Sequence, residues 1–141
     1  MSTFHCRRRV EFRDTDAAGI AHFSTFFNYM EEVEHEFLRS LGLSVVMRDA
    51  AGVLSWPRVN AECDYRGAVR FEDELDVALT VERLGEKSVT YHFLFRHGER
   101  PVAEGRLTAV CCRMERGDPR SAPIPAEIAA KLRTAQDTSA E

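Results

Sequence analysis

The sequence lacks most of the short patterns that label a small protein on sight. Its four cysteines, Cys6, Cys63, Cys111 and Cys112, form no C-x-x-C. Neither a zinc knuckle nor a disulfide framework is suggested. Free, buried thiols in a reducing cytoplasmic compartment are the expectation. No apolar run approaches the roughly 20 residues of a membrane span. Residues 1–9 carry no apolar core of the kind a secretory signal needs. Positive charge is not in excess: 19 Lys and Arg against 23 Asp and Glu give a net charge of -4. That weighs against a dedicated nucleic-acid binder. Gly42, Gly52 and Gly67 stand alone, so there is no phosphate loop or dinucleotide fingerprint. There is no G-x-S-x-G nucleophile turn either.

What is present is enough to fold. The chain has 141 residues, 44% of them apolar, which suits one domain with a sizeable core. We expect it to span residues 1–136, with 137–141 as a disordered tail. Phe4, Cys6, Val10 and Phe12 share one parity, so residues 4–12 read as a strand, with Arg8 out of pattern. From Phe23 the period changes. Phe23, Phe26, Phe27, Met30, Val33, Phe37, Leu38 and Leu41 recur at helical spacing. Ser24 or Thr25 can cap this helix and Gly42 can end it. About eighteen residues would make a rod of roughly 27 Å.

Strand signals follow at 53–65, 75–84, 88–96 and 102–113. Pro57 interrupts the first, as at a bulge or an edge. Leu75, Val77, Leu79 and Val81 alternate with polar residues, as do Val89, Tyr91, Phe93 and Phe95. Short turns in series imply an antiparallel meander. Pro125, Ile128 and Leu132 suggest a short closing helix. The order predicts an α+β fold, an antiparallel sheet wrapped around a long central helix.

Three local patterns bear on chemistry. D-T-D-A-A-G from Asp14 opens like a calcium loop, but Ala18 and Thr25 stand at ligand positions. Glu32-Val33-Glu34-His35 matches one E-x-x-H, whereas a di-iron bundle needs two; it reads as a solvated helix face. No metal is expected. Asp16 and the start of the helix remain. That terminus offers unpaired N–H groups and a positive dipole end. Such donors can hold a polarised carbonyl oxygen, and a carboxylate beside it can attack or activate water. Equally, Asp14 and Asp16 can simply stabilise the turn and the helix start. The residues alone leave both readings open.

The stretch VEFRDTDAAGIAHFSTFFNYMEE resembles the opening of the 4-hydroxybenzoyl-CoA thioesterase family of hotdog-fold proteins, which includes the Tol–Pal-associated acyl-CoA thioesterases. Val10, Phe12, Asp14, Asp16, Gly19 and Ile20 fit its strand and D-x-D-x-x-G. Pro57, Tyr65, Arg70, Asp73 and Leu75 match a middle segment, and Lys87-Ser88 a Lys-Ser pair. The likeness covers roughly residues 7–113. It implies hydrolysis of an acyl-CoA by homodimers or homotetramers with active sites between subunits. No cofactor is implied, since CoA belongs to the substrate. Asp16 would be the catalytic carboxylate and the Phe23 N–H the oxyanion donor. Gly19, Ile20, Phe26 and Phe27 would meet the acyl group, with Trp56 as a further wall, and Lys87 the CoA phosphates.

This chain also departs from the pattern. Phe23 stands where relatives often have Tyr or His, and His22 sits one position before the histidine of the Tol–Pal-associated branch. Ala68 replaces a proline, Glu34 an arginine, and Gly85 and Glu86 basic neighbours of Lys87. With Asp16 and His22 as an acid–base pair, a hydratase or dehydratase of enoyl thioesters is the alternative. A non-catalytic acyl-CoA binding module is the third reading.

Overall fold

The computed structural model describes residues 3–136; the expected tail at 137–141 lies outside them. The polypeptide begins with β1 (Phe4–Arg9), a 3-10 turn (Phe12–Asp14) and α1 (Thr25–Ser40). Then come β2 (Met47–Asp49), β3 (Gly52–Ser55), β4 (Arg58–Tyr65), β5 (Glu74–Leu84), β6 (Ser88–His97) and β7 (Arg100–Val110). The chain continues through β8 (Cys112–Glu115) and β9 (Asp118–Ser121) to α2 (Ala126–Arg133). The fold is α+β. All strand pairs are antiparallel, in a five-stranded sheet ordered β1-β5-β6-β7-β4 and a four-stranded one ordered β2-β3-β8-β9.

The alternating strands behave as their parity predicts. Leu75, Val77, Leu79 and Val81 on β5, and Val89, Tyr91, Phe93 and Phe95 on β6, are all buried. They meet Phe26, Met30, Val33, Phe37 and Leu38 of α1 in one core. The helix comes close to the sheet because Gly105 of β7 has no side chain; a Cβ there would collide with Met30 Sδ. Pro57 separates β3 from β4 as expected, and α2 buries Ala129 and Leu132.

Several expectations need correction. The first strand ends at Arg9, and Phe12 enters a tight turn held by a reciprocal cap between Glu11 and Asp14. Arg8 breaks parity because it faces the helix, where Nε lies 3.1 Å from Glu32 and Nη2 lies 2.8 Å from Glu36. The helix has 16 residues rather than eighteen and starts at Thr25. The strands are not a simple meander: β4 pairs with β7 and ends at the open edge. The brief strands β2 and β9, short and largely exposed, were not anticipated. Glu34 belongs to no solvated face. It is 2% exposed and is gripped by both terminal nitrogens of Arg58.

Candidate active site

The D-x-D segment is a knot of short-range hydrogen bonds. Asp16 N–H donates to Ile20 C=O at 2.9 Å, and Gly19 N–H to Asp16 C=O at 2.9 Å. Gly19 takes φ +79° to close this turn, a region glycine occupies without a side-chain clash. The carboxylates then diverge. Asp14 Oδ2 accepts from the Glu11 N–H at 2.9 Å and from the Tyr29 hydroxyl at 2.8 Å. Its main-chain oxygen accepts from the His22 N–H at 2.7 Å and the Thr25 hydroxyl at 3.0 Å. Burial, reinforced by the Asp14 carboxylate, pushes the Tyr29 hydroxyl far above its ordinary pKa. Tyr29 therefore stays protonated and donating. Asp16 has a lighter load: Oδ1 accepts from Ala18 N–H at 2.8 Å, and Oδ2 has no partner among the described residues.

Asp16 opens onto a cleft of about 360 Å³ shared with Ile20, Ala21, Phe23, Phe26, Tyr65 and Gly67–Val69. Its walls are mainly apolar and aromatic. Phe26 is buried, with Tyr65 edge-on at 5.6 Å and Phe95 at 5.3 Å. The Phe23 ring is 63% exposed, so it is a rim rather than a core residue. Phe23 lies two residues before α1, not on its first turn. Its N–H makes no hydrogen bond among the described residues. The neighbouring N–H groups are occupied: Ser24 donates to His22 Nδ1 at 3.2 Å, and Thr25 to His22 C=O at 2.9 Å. A free main-chain donor thus sits just ahead of the helix, on a residue that lines the cleft with Asp16.

The other candidates scatter. His22 does not line the cleft. Its ring stacks on Phe23 at 4.5 Å and its Nδ1 is 2.8 Å from Ser24 Oγ, which makes it a brace for the helix start. Phe27 faces a different hollow, with Asn28, Glu31, Arg58, Ala61 and Leu107. Trp56 lies between β3 and β4, outside the cleft. Gly19 shapes the turn without lining the cleft. Lys87 sits in the β5–β6 turn. The eight steps from Lys87 to Phe95, at about 3.3 Å each, put it roughly 26 Å from Phe95, whose ring packs on Phe26 behind the cleft. Sequence reading missed the contributions of Gly67, Ala68, Val69 and the Tyr65 hydroxyl. The only signal for Tyr65 was its place in the middle segment.

Cys6 and Cys63 offer no rival nucleophile. Burial pushes the thiols of Cys6 and Cys63 up to about 11, so their thiolate fraction at neutral pH is negligible. Among the described residues no three His, Cys, Asp or Glu side chains group as a metal site would require. No described helix is long and apolar enough to cross a membrane.

The model of the thioesterase-like superfamily matches residues 10–132. A 1,4-dihydroxy-2-naphthoyl-CoA hydrolase of Prochlorococcus marinus (strain MIT 9313) is 34% identical over 108 residues, 72% of this chain and 72% of its own. The crystal structure of a hypothetical protein from Aquifex aeolicus superposes with a TM-score of 0.80 at 33% identity, covering 92% of this chain and 98% of that one. A gentisyl-coenzyme A thioesterase superposes with a TM-score of 0.78 at 25% identity, covering 92% and 99%.

Proposed function

The chain belongs to the thioesterase-like superfamily, and from that premise we propose that it hydrolyses aromatic or apolar acyl-CoA thioesters to the free acid and CoA. The observation that carries this reading is the shared cleft: Asp16, with one carboxylate oxygen free, and Phe23, with an unpaired main-chain N–H, line the same mainly apolar hollow. The relatives named for 1,4-dihydroxy-2-naphthoyl-CoA and gentisyl-CoA support an aromatic acyl group, as does the resemblance to the 4-hydroxybenzoyl-CoA branch.

In this reading the Phe23 N–H donates to the thioester oxygen and holds the negative charge that develops there. Asp16 attacks the carbonyl carbon, or takes a proton from the water that does. The C–S bond breaks, and CoA leaves as a thiolate that picks up a proton. If Asp16 attacks directly, water then cleaves the acyl–aspartate anhydride. No metal or redox group enters these steps. The hydratase reading needs an acid–base pair across a double bond, and His22 is not among the residues that line the cleft with Asp16. The chain contributes to this reaction as a single domain of residues 1–136, in a reducing cytoplasm that suits four free thiols.

We propose further that the active form is a homo-oligomer. β4 is an open edge with Val59 and Tyr65 exposed, a template for a second strand. Antiparallel pairing with another β4 would set the Arg58 end of one copy beside the Tyr65 end of the other. The Arg58 end lies near Lys87, because Val110 N–H donates to Pro57 C=O and Cys111 N–H to Lys87 C=O. Lys87 of the partner subunit would then lie closer to the cleft than Lys87 of the same chain.

The test is thiol release from acetyl-, hexanoyl-, benzoyl-, gentisyl- and 1,4-dihydroxy-2-naphthoyl-CoA, with light scattering at assay concentration. We expect the aromatic thioesters to lead, acetyl-CoA to trail, and no active monomer. Acetyl-CoA as the best substrate would overturn the apolar-cleft argument, and saturable binding without thiol release would favour a binding module. A fully active monomer would remove the shared site.

A further inference from the structure

The Phe23 N–H is useful as a donor only if its direction is fixed, yet Phe23 lies outside the helix and its ring is mostly exposed. Side-chain packing therefore does little to hold it. Its two peptide groups are held by hydrogen bonds instead. The peptide on its N-terminal side is pinned through His22: His22 N–H donates to Asp14 C=O at 2.7 Å, and His22 C=O accepts from Thr25 N–H at 2.9 Å. The peptide on its C-terminal side is pinned at the Ser24 N–H by His22 Nδ1. The carbonyl of that peptide, Phe23 C=O, accepts one hydrogen bond, from the Tyr65 hydroxyl at 2.8 Å. That contact spans 42 residues of sequence. Among the described residues it is the one hydrogen bond from the main chain at Phe23 to the sheet.

We propose that Tyr65 is a positioning residue, whose hydroxyl fixes the main chain at Phe23 so that the Phe23 N–H points at the reacting carbonyl. The inference rests on the thioesterase reading of the cleft and deepens it. Tyr65 stands at the last position of β4, lines the same cleft and packs edge-on against Phe26. Phe26 in turn packs edge-on against Tyr29 at 5.8 Å, and Tyr29 holds Asp14. Two tyrosines with one phenylalanine between them thus brace the two halves of the site. Tyr29 secures the turn that presents Asp16, and Tyr65 secures the donor. Tyr65 also carries this restraint from the open sheet edge, so a second copy covering β4 would stiffen the donor from outside.

The hydroxyl and the ring make separable demands. Tyr65→Phe keeps the ring against Phe26 and removes only the hydrogen bond. It should lower kcat about tenfold, the equivalent of one ordinary hydrogen bond, with KM within about twofold. Tyr65→Ala also removes a wall of the cleft, so KM should rise as well. Two non-hydrolysable CoA analogues provide a readout that a structural role would not move. Tyr65→Phe should weaken binding of a ketone analogue, which keeps the carbonyl, and leave a thioether analogue, which lacks it, unchanged. Asp16→Asn is run in parallel to separate the two readings. If Tyr65→Phe keeps kcat within about twofold of wild type while Asp16→Asn is inactive, the positioning role is wrong and the thioesterase reading stands. If Asp16→Asn retains turnover, the site itself is misassigned and this inference falls with it. A kcat loss that tracks a matching fall in Tm, with both analogues equally weakened, would reassign Tyr65 to fold stability and overturn the proposal.

Discussion

Tyr29, buried on the sheet-facing side of α1, donates its hydroxyl to Asp14 Oδ2 at 2.8 Å. The first aspartate of the pair is therefore tied to the architecture through two hydrogen bonds at Oδ2, whereas the second accepts one, from the Ala18 N–H, and lines the cleft. Two identical side chains two residues apart are thus sorted into different roles by the groups that surround them.

That sorting predicts opposite phenotypes. Asp16→Asn should leave Tm nearly unchanged and reduce thiol release at least about a hundredfold, the scale of a positioned acid–base group. Asp14→Asn and Tyr29→Phe should instead lose stability, by about 1.5–3 kcal/mol for a hydrogen bond to a charged group, with smaller effects on turnover. Urea unfolding at fixed protein concentration, alongside the activity assay, checks both. More than half of wild-type turnover in Asp16→Asn would refute the assignment.

Phe23 separates a main-chain role from a side-chain role. Phe23→Ala keeps the N–H and gives up an exposed ring, so KM should rise more than kcat falls. Phe23→Pro removes the N–H and should cost about a hundredfold or more in turnover, as the loss of one oxyanion donor does. Circular dichroism must show both variants folded. Equal turnover in the two would eliminate the donor.

The Glu34–Arg58 pair makes a stability prediction that is independent of catalysis. Glu34 is 2% exposed, and removing its partner strands a charge in the core. Arg58→Met should destabilise by about 3–5 kcal/mol, whereas the double variant Glu34→Leu with Arg58→Met should recover most of that loss. Denaturant midpoints for the three proteins decide it. A double variant no better than the single one would mean that Arg58 acts through packing alone.

Acid sensitivity should report on Glu104. Its hydrogen bond to His92, 2.5 Å between Nε2 and Oε2, and then the positive charge nearby hold its carboxyl below the ordinary 4.5. A carboxylate depressed in the folded state stabilises above its unfolded pKa and loses that contribution as pH falls through the depressed value. Glu104→Gln should therefore be less stable than wild type at neutral pH, by under about 1 kcal/mol for a partly exposed pair. The difference should shrink below pH 4. Stability measured from pH 3 to 7 tests this, and a constant gap across the range would count against it.

Much of the molecule was legible in the sequence because it depends on neighbours along the chain. The period of two in β5 and β6, the helical spacing after Phe26, the break at Pro57 and the glycine that closes the Asp16 turn are all local. Each element could be read from its own residues, because backbone geometry sets the spacing and turn chemistry sets the punctuation. That Asp16 and Phe23 line one cleft follows from the same locality, since they lie seven positions apart. What the tertiary structure decided is everything that sheet register brings together. It placed β4 at the edge beside β7, so that Tyr65 meets the Phe23 carbonyl and Arg58 meets Glu34. It turned His22 and Phe27 away from the cleft and left Lys87 at the far end of β6. No local pattern encodes these outcomes. Register and strand order are settled by which long-range pairing buries the most apolar surface and leaves the fewest polar groups unpaired, a comparison made over the whole chain at once.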